Sequence, residues 1–161
     1  LPIPAAAIQT QMGTILDLLP TICKLAEVKL PHDMPLDGYD LKEQLAGSRH
    51  ESRKEDFLNH FPHEHRSSYF TSYVNDGWKV IYHYPLPGRG NTAKGKELTP
   101  KYELFNLKED PFEKTDLANS HPERLEMMTT ALVKDLEAKN ALYPEMGGKE
   151  LRPEIPGTGS Q

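Results

Sequence analysis

The stretch SSYFTSYVNDGWKVIYHY, residues 67–84, decides the fold of the larger part of this chain. Its side chains alternate between two faces on both sides of Asn75-Asp76-Gly77, and alternation with a period of two is typical of half-buried β-strands. Gly, Asn and Asp tolerate the positive φ that tight hairpin turns require, so the central residues predict a hairpin. The returning strand carries one aromatic and apolar face, made by Trp78, Val80, Tyr82 and Tyr84.

Two further strands and a helix are predicted around this hairpin. The strands cover residues 57–61 and 102–107, and the helix covers residues 122–140. The helix has one apolar stripe at helical spacing, formed by Leu125, Met128, Leu132 and Leu136. These elements predict an α+β fold, in which a small four-stranded antiparallel sheet is packed by a long C-terminal helix, with Trp78 facing that helix. The proline-containing tail 145–161 has no periodicity and is predicted to be extended or disordered.

The N-terminal part has a different pattern. Apolar residues at helical spacing predict a helix over about residues 17–28, with Asp17 as its N-cap. Pro20 then lies in the first turn, where its missing N–H removes no hydrogen bond. Residues 29–47 are interpreted as a connection in which 41–45 could form one helical turn. Since no other element of this segment pairs with the 17–28 helix, its apolar face is expected to lack a partner. A boundary is predicted after residue 47, so that a subdomain spans residues 48–144.

Composition excludes several classes of function. The net charge of −5 comes from 19 basic and 24 acidic residues that are well mixed, so the chain lacks the basic stripe of nucleic-acid-binding proteins. No apolar run is long enough to cross a bilayer. Cys23 is the single cysteine, which excludes an internal disulfide. It lies in an apolar segment and is predicted to be a buried, inert thiol.

Five short motifs, in this order and at this spacing, resemble the C-terminal third of a sulfatase. They are Asp17-Leu18-Leu19-Pro20-Thr21, Asp37-Gly38, Gly77-Trp78-Lys79-Val80-Ile81, Leu104-Phe105-Asn106-Leu107, and Asp110-Pro111 with Glu113. Sulfatases are sulfuric ester hydrolases with an alkaline-phosphatase-like fold. The resemblance covers roughly residues 13–144. It implies that residues 1–47 are the end of the large α/β catalytic domain and that the following residues form the family's C-terminal subdomain.

The resemblance also implies where the chemistry lies. Sulfatases use a hydrated formylglycine, made from the Cys or Ser of a Cys/Ser-x-Pro-x-Arg motif, together with calcium. Cys23 is followed by Lys24-Leu25-Ala26-Glu27 and does not match that motif. The nucleophile, the calcium ligands and the sulfate-holding residues of the family lie N-terminal to the matched region. We therefore expect no catalytic or metal-binding residue in this chain, a catalytic domain as its missing partner, and inactivity on its own. The family further suggests a periplasmic or secreted location.

The sequence from His60 to Arg66 is the sharpest local cluster of functional residue types. Three imidazoles and a guanidinium in seven residues could bind a metal or an anion, but the spacing is not that of His-Glu-x-x-His and no second ligand cluster is visible. A solvated loop with one or two histidines packed on aromatic rings is the simpler interpretation. Several sulfatases resemble this segment near the active-site rim, which implies substrate-binding roles for His60, His63, His65 and Arg66 toward a sulfated carbohydrate or aryl sulfate.

Two main hypotheses of different class remain after these observations, and a small metal-binding protein that uses the histidine loop is a third. In the first, the chain is the C-terminal portion of a sulfatase that completes the fold and the substrate rim. In the second, it is a stand-alone glycan-binding or interaction module that uses the aromatic and His-rich surface. The aromatic face of the hairpin could stack on sugars, although strand spacing is more typical of core pairs. A large exposed apolar patch on the 17–28 helix would favour the first hypothesis.

Overall fold

The computed structural model describes residues 3–50, 54, 56–63, 69–86 and 101–157. The chain divides into two compact units, Leu1–Glu55 and Asp56–Gln161. In the first unit, the side-chain amide of Gln11 binds both backbone groups of His50. Its Oε1 accepts from the His50 N–H at 2.8 Å and its Nε2 donates to the His50 carbonyl at 3.0 Å.

The second unit contains the predicted sheet. Its strands are β1 (Phe57–Phe61), β2 (Phe70–Asn75), β3 (Trp78–His83) and β4 (Lys101–Asn106), all antiparallel in the order β1-β2-β3-β4. The hairpin between β2 and β3 turns at Asp76 and Gly77, which have φ values of 47° and 75°. Positive φ at both central positions is the geometry that Asp-Gly favours. The predicted fold class is confirmed.

The long helix α3 (Pro122–Ala138) packs its apolar stripe on one face of this sheet. Val80, Leu104, Leu132 and Leu136 are completely buried in the shared core. Trp78 packs against this core but is only half-buried, because it is the first residue of β3 and lies near the first turn of α3. The guanidinium of Arg124 lies over its ring, 5.0 Å from the centroid.

The tail after α3 is more ordered than the sequence predicts. Two short strands, β5 (Glu145–Met146) and β6 (Lys149–Glu150), pair through Gly147 and Gly148, which both have positive φ. The tyrosine hydroxyl of Tyr102 donates to the Glu154 carbonyl, and Leu151 packs on the aromatic cluster of the sheet. The Gly-Gly turn therefore folds the tail into a hairpin, followed by an extended segment.

The first unit contains a 3₁₀ turn at Ile15–Asp17, helix α1 (Leu18–Leu25) and the single turn α2 (Lys42–Leu45). Helix α1 is shorter than the predicted 17–28. Glu27 takes a left-handed φ of 57°, and the Val28 N–H donates to the Cys23 carbonyl at 2.9 Å, which closes the helix end. Pro20 lies in the first turn of α1, as predicted. Among the described helices, none has the length and apolar composition needed to span a bilayer.

Replacing Leu132 by Ala is expected to destabilise the second unit by about 2–5 kcal/mol, because the lost methyl groups leave a cavity in a fully buried position. Urea unfolding followed by the fluorescence of Trp78, the only tryptophan, measures this change. The control is Lys134→Ala on the exposed side of the same helix, expected to lie within about 0.5 kcal/mol of the parent. Similar unfolding curves for both variants would contradict the assigned core.

Candidate functional site

A buried carboxylate joins the first two motifs. Asp17 is completely buried, and its Oδ1 accepts from the Tyr39 N–H at 2.8 Å while its Oδ2 accepts from the Thr14 N–H at 2.5 Å. One turn later, the Thr21 hydroxyl donates to the Asp17 carbonyl at 2.6 Å and accepts from the Leu41 N–H at 2.8 Å. Asp17 and Thr21 therefore hold the 39–41 backbone against the start of α1. We call this arrangement the Asp17 clasp.

Gly38 lies where the 37–41 segment passes close to the backbone at the start of α1. A Cβ on this residue would lie 2.1 Å from the carbonyl oxygen of Leu16. Any side chain would therefore separate Tyr39 from the carboxylate of Asp17. The motif Asp37-Gly38 is explained by this close backbone contact.

The apolar side chains of the first unit point away from the clasp. Its most buried residues are polar, whereas α1 and its flanks expose seven large apolar side chains by 44–80%. These residues form a continuous apolar face, which comprises Ile15, Leu16, Leu18, Leu19, Ile22, Leu25 and Val28. We call this surface the α1 apolar face. The predicted exposed patch is present, and within the first unit no described residue covers it. A face of this kind marks a site of contact with other protein.

The later motifs meet in the second unit. The ammonium of Lys79 lies 2.8 Å from both carboxylate oxygens of Glu113, although the Glu113 backbone has a left-handed φ of 54°. The Leu107 N–H donates to the Gly77 carbonyl at 2.7 Å. Asp110 accepts from two N–H groups in the following turn, at 2.7 and 2.9 Å. The residues of these motifs therefore hold the turns around residues 77 and 107–115 in place, which explains why they stand at this spacing in the sequence.

The predicted site residue His60 is held inside the second unit. Its Nδ1 lies 2.7 Å from the Thr71 hydroxyl and its Nε2 lies 2.7 Å from the Leu142 carbonyl. Because a carbonyl only accepts, Nε2 carries a proton and Nδ1 faces the hydroxyl. The Thr71 hydroxyl is also 3.0 Å from the Tyr84 hydroxyl. His60 thus joins β1 to the segment that follows α3.

The predicted site residue His63 lies on the opposite side of the sheet. Its ring is 4.2 Å from the Phe61 ring, with an angle of 38° between the planes. Phe61 in turn stacks on Phe70, its partner across the strands, at 5.5 Å and 21°. His63 is exposed, and among the described residues no hydrogen bond reaches its ring. Since Phe61 and His60 alternate along β1, the structure does not bring His60 and His63 together. His65 and Arg66 lie outside the described residues.

Calcium and a formylglycine nucleophile, which sulfatases use, would each need particular side chains in this chain. Within the described ranges, no group of three or more His, Cys, Asp or Glu residues could hold a metal ion. Cys23 is half-buried in α1, where its neighbours in sequence are apolar or Lys. The described residues therefore do not fit a calcium site, and the sequence around Cys23 does not fit a formylglycine precursor.

The tyrosines of the sheet form core and not a sugar-stacking face. Tyr73, Tyr82 and Tyr84 are buried, and Tyr82 packs edge-on against Tyr84 at 4.8 Å. Burial raises the pKa of Tyr82 to about 12 and, together with the charge of Asp56, raises the pKa of Tyr73 to about 12. Burial also raises the pKa of Tyr84 and Tyr102. The expectation that strand spacing indicates core pairs is confirmed for these residues.

Alkaline titration should separate these tyrosines from exposed ones. Tyr73 and Tyr82 are expected to stay protonated until about pH 12, above the ordinary value of about 10. The pKa of these tyrosines is higher in the folded state than in the unfolded state. Burial of the protonated hydroxyls therefore contributes fully to the free energy of unfolding below about pH 10, and this contribution is lost as the pH rises toward 12. Tyrosinate absorbance in the folded and urea-unfolded chain measures the difference. Titration of all seven tyrosines near pH 10 in the folded chain would contradict their burial.

The Asp17 clasp predicts a local effect of Asp17→Ala. The substitution removes the acceptor of the Thr14 and Tyr39 N–H groups, which costs about 1–3 kcal/mol for a buried group left unpaired. We expect the Tyr39 amide proton to move upfield and to exchange faster in NMR spectra. Asp33→Ala, at an exposed position, is the matched control and should leave both properties unchanged. An unaltered Tyr39 amide in Asp17→Ala would show that the carboxylate does not hold this loop.

The chain is similar to known proteins in sequence. It is 28% identical to human Arylsulfatase D over 127 residues, which cover 69% of this chain and 21% of that protein. The chain thus spans about a fifth of the length of this curated relative. No protein-family model matches the chain.

Solved structures share the fold. The structure of BT4656 in complex with its substrate D-glucosamine-2-N,6-O-disulfate matches with a TM-score of 0.53 and 20% identity, over 77% of this chain and 24% of that one. The structure of BT1596, a 2-O GAG sulfatase, matches with a TM-score of 0.54 and 20% identity, over the same shares. The chain is thus similar in sequence to about a fifth of an arylsulfatase and shares its fold with about a quarter of each of these solved chains.

Proposed function

We propose that this chain is the C-terminal portion of a sulfatase that hydrolyses sulfate esters, and that the catalytic residues lie in another part of the same polypeptide. The observation that carries the proposal is the α1 apolar face. In this unit mainly polar residues are buried, while seven large apolar side chains are exposed. This distribution is expected when the exposed apolar side chains are buried by another part of the same protein. Its partner is the catalytic domain of the enzyme.

The chain contributes structure to this enzyme. The Asp17 clasp fixes the connection after α1, while the α1 apolar face packs against the rest of the catalytic domain. The second unit has its own core and forms the C-terminal subdomain. The formylglycine nucleophile and the calcium ion would belong to the catalytic domain, since no group of metal-binding side chains is found in the described part of this chain.

The substrate class is a sulfated saccharide. The enzymes BT4656 and BT1596, which share the fold, act on D-glucosamine-2-N,6-O-disulfate and on 2-O-sulfated GAG respectively. In this chain the segment from His60 to Arg66 supplies His60, His63, His65 and Arg66 as candidate rim residues. Imidazole and guanidinium groups form charge-assisted hydrogen bonds with sulfate or uronate oxygens.

The proposal is tested by comparing the sulfatase activity of the isolated chain with that of the longer polypeptide that contains it. The isolated chain is expected to show no turnover of p-nitrophenyl sulfate. Ser120 stands in a Ser-x-Pro-x-Arg sequence, but its hydroxyl donates to the Leu117 carbonyl at the start of α3, and the described residues hold no metal-binding group beside it. The longer polypeptide is expected to hydrolyse this ester and to lose activity when the Cys or Ser of a Cys/Ser-x-Pro-x-Arg motif outside this chain is replaced by Ala, whereas Ser120→Ala should leave the activity unchanged. Both assays measure released p-nitrophenolate.

Two outcomes would contradict the proposal. Turnover by the isolated chain, with contaminants excluded, would place the chemistry within these residues. A parent polypeptide without a Cys/Ser-x-Pro-x-Arg motif outside this chain and without sulfatase activity would favour the stand-alone glycan-binding module.

A further inference from the structure

The two edges of the four-stranded sheet differ in what covers them. Strand β4 forms one edge, where the Leu104 N–H donates to the Asp116 carboxylate at 3.0 Å and the Leu104 carbonyl accepts from the Leu117 N–H at 2.8 Å. Strand β1 forms the other edge, and within the described part of the second unit no strand pairs with its outer side. The chain therefore closes the β4 edge with its own residues and leaves the β1 edge open.

The register of the hairpin identifies the backbone groups on this open edge. Asn75 and Trp78 flank the two-residue turn, and the Tyr84 N–H donates to the Tyr69 carbonyl at 3.0 Å. The odd-numbered residues of β2 therefore form their hydrogen bonds with β3, because antiparallel strands alternate between bonded and non-bonded pairs. The even-numbered residues of β2 bond to β1, where their partners are residues 57, 59 and 61.

This alternation directs the backbone N–H and carbonyl groups of Leu58 and His60 outward. Among the described residues, none forms a hydrogen bond with these four groups. The five residues of β1 include no charged side chain of the kind that protects an edge strand, and no proline. Leu142, whose carbonyl accepts from the His60 ring, is 81% exposed. An uncharged edge strand beside an exposed leucine is typical of a strand that pairs with another chain.

The side chains of β1 are complementary to a second β1 that runs antiparallel to it. The register that uses all four outward groups sets Leu58 opposite His60 of the second copy, and the reverse. In this register Asn59 lies on the two-fold axis, opposite Asn59 of the second copy, and Phe57 lies opposite Phe61 of the second copy. Aromatic rings then meet each other, two neutral amides meet at the axis, and no charged side chain is buried.

We propose that the open edge of β1 pairs with β1 of a second copy of this chain, which joins the two sheets into one. A strand of different sequence would need a feature that selects it, and β1 has no charged side chain to supply one. Its own sequence, in contrast, gives matched pairs along the whole strand. The inference concerns assembly, goes beyond the proposed sulfatase function and does not depend on it.

The mass of the assembly is measured by sedimentation equilibrium on the longer polypeptide that contains this chain, in which the α1 apolar face is expected to be covered. We expect a dimer whose fraction increases with concentration. Asn59→Asp sets two carboxylates opposite each other at the axis and should raise the dimer dissociation constant by about tenfold. Asn119→Asp makes the same change at another exposed asparagine of the second unit and should leave this constant unchanged.

A cysteine at the axis tests the register itself. Asn59→Cys, combined with Cys23→Ser, should form a disulfide-linked dimer under mild oxidation, because a non-hydrogen-bonded antiparallel pair brings two Cα atoms to about 4.5 Å. Phe57→Cys in the same background should not, since residue 57 lies opposite residue 61 of the second copy. Asn119→Cys, remote from the axis, should not either. The isolated chain allows the same measurement, because association through its α1 apolar face would not align residue 59 with its copy.

Hydrogen exchange at the outward amides of Leu58 and His60 completes the test. Exchange that slows as the dimer forms would support the inference, whereas full protection in the dilute monomer would overturn it by showing that another segment occupies the edge. A polypeptide that stays monomeric would also overturn it, as would a dimer that is neither weakened by Asn59→Asp nor crosslinked through residue 59. None of these measurements uses enzymatic activity, so their outcome is separate from that of the sulfatase assays.

Discussion

The fold of the first unit depends on the hydrogen bonds that the carboxylate of Asp17 accepts. It is completely buried and accepts backbone N–H groups from residues 14 and 39, so it closes a loop of more than twenty residues. Thr21 adds a second tie, and the close contact of Gly38 with Leu16 allows no side chain between them. The apolar side chains of α1 are exposed on the outside of this unit. An apolar face of this size is typical of a surface that contacts other protein, membrane or ligand.

The second unit has the opposite organisation. Its main apolar cluster lies between the sheet and α3, and a second cluster is formed by Tyr82, Tyr84 and Leu86. The Lys79–Glu113 ion pair offsets the left-handed backbone of Glu113, which costs of order 1 kcal/mol or more for a non-glycine residue. His60 and Tyr102 each bind a carbonyl of the segment after α3 and hold it against the sheet.

Much of the fold could be predicted from the sequence because its signals are local. Alternation around Asp76-Gly77 and the stripe of α3 identify the hairpin and the helix. The hairpin of the tail was not predicted, since two residues per strand give no period and only Gly147-Gly148 marks the turn. Asp17 was correctly interpreted as the start of a helix. Its bond to Tyr39, 22 residues away, has no local signal. The opposite placement of His60 and His63 depends on Pro62 and on the pairing of Phe61 with Phe70, which become visible only in three dimensions.

Hydrogen exchange of α1, in the isolated chain and in the longer polypeptide, tests the central claim most directly. The account predicts that α1 amides in the isolated chain are at least about a hundredfold less protected than those of α3, because one face of α1 has no apolar cover. In the longer polypeptide, α1 should gain protection to the level of α3, while α3 changes little. Equal and high protection of α1 in both proteins would contradict the claim that its apolar face is part of a larger core.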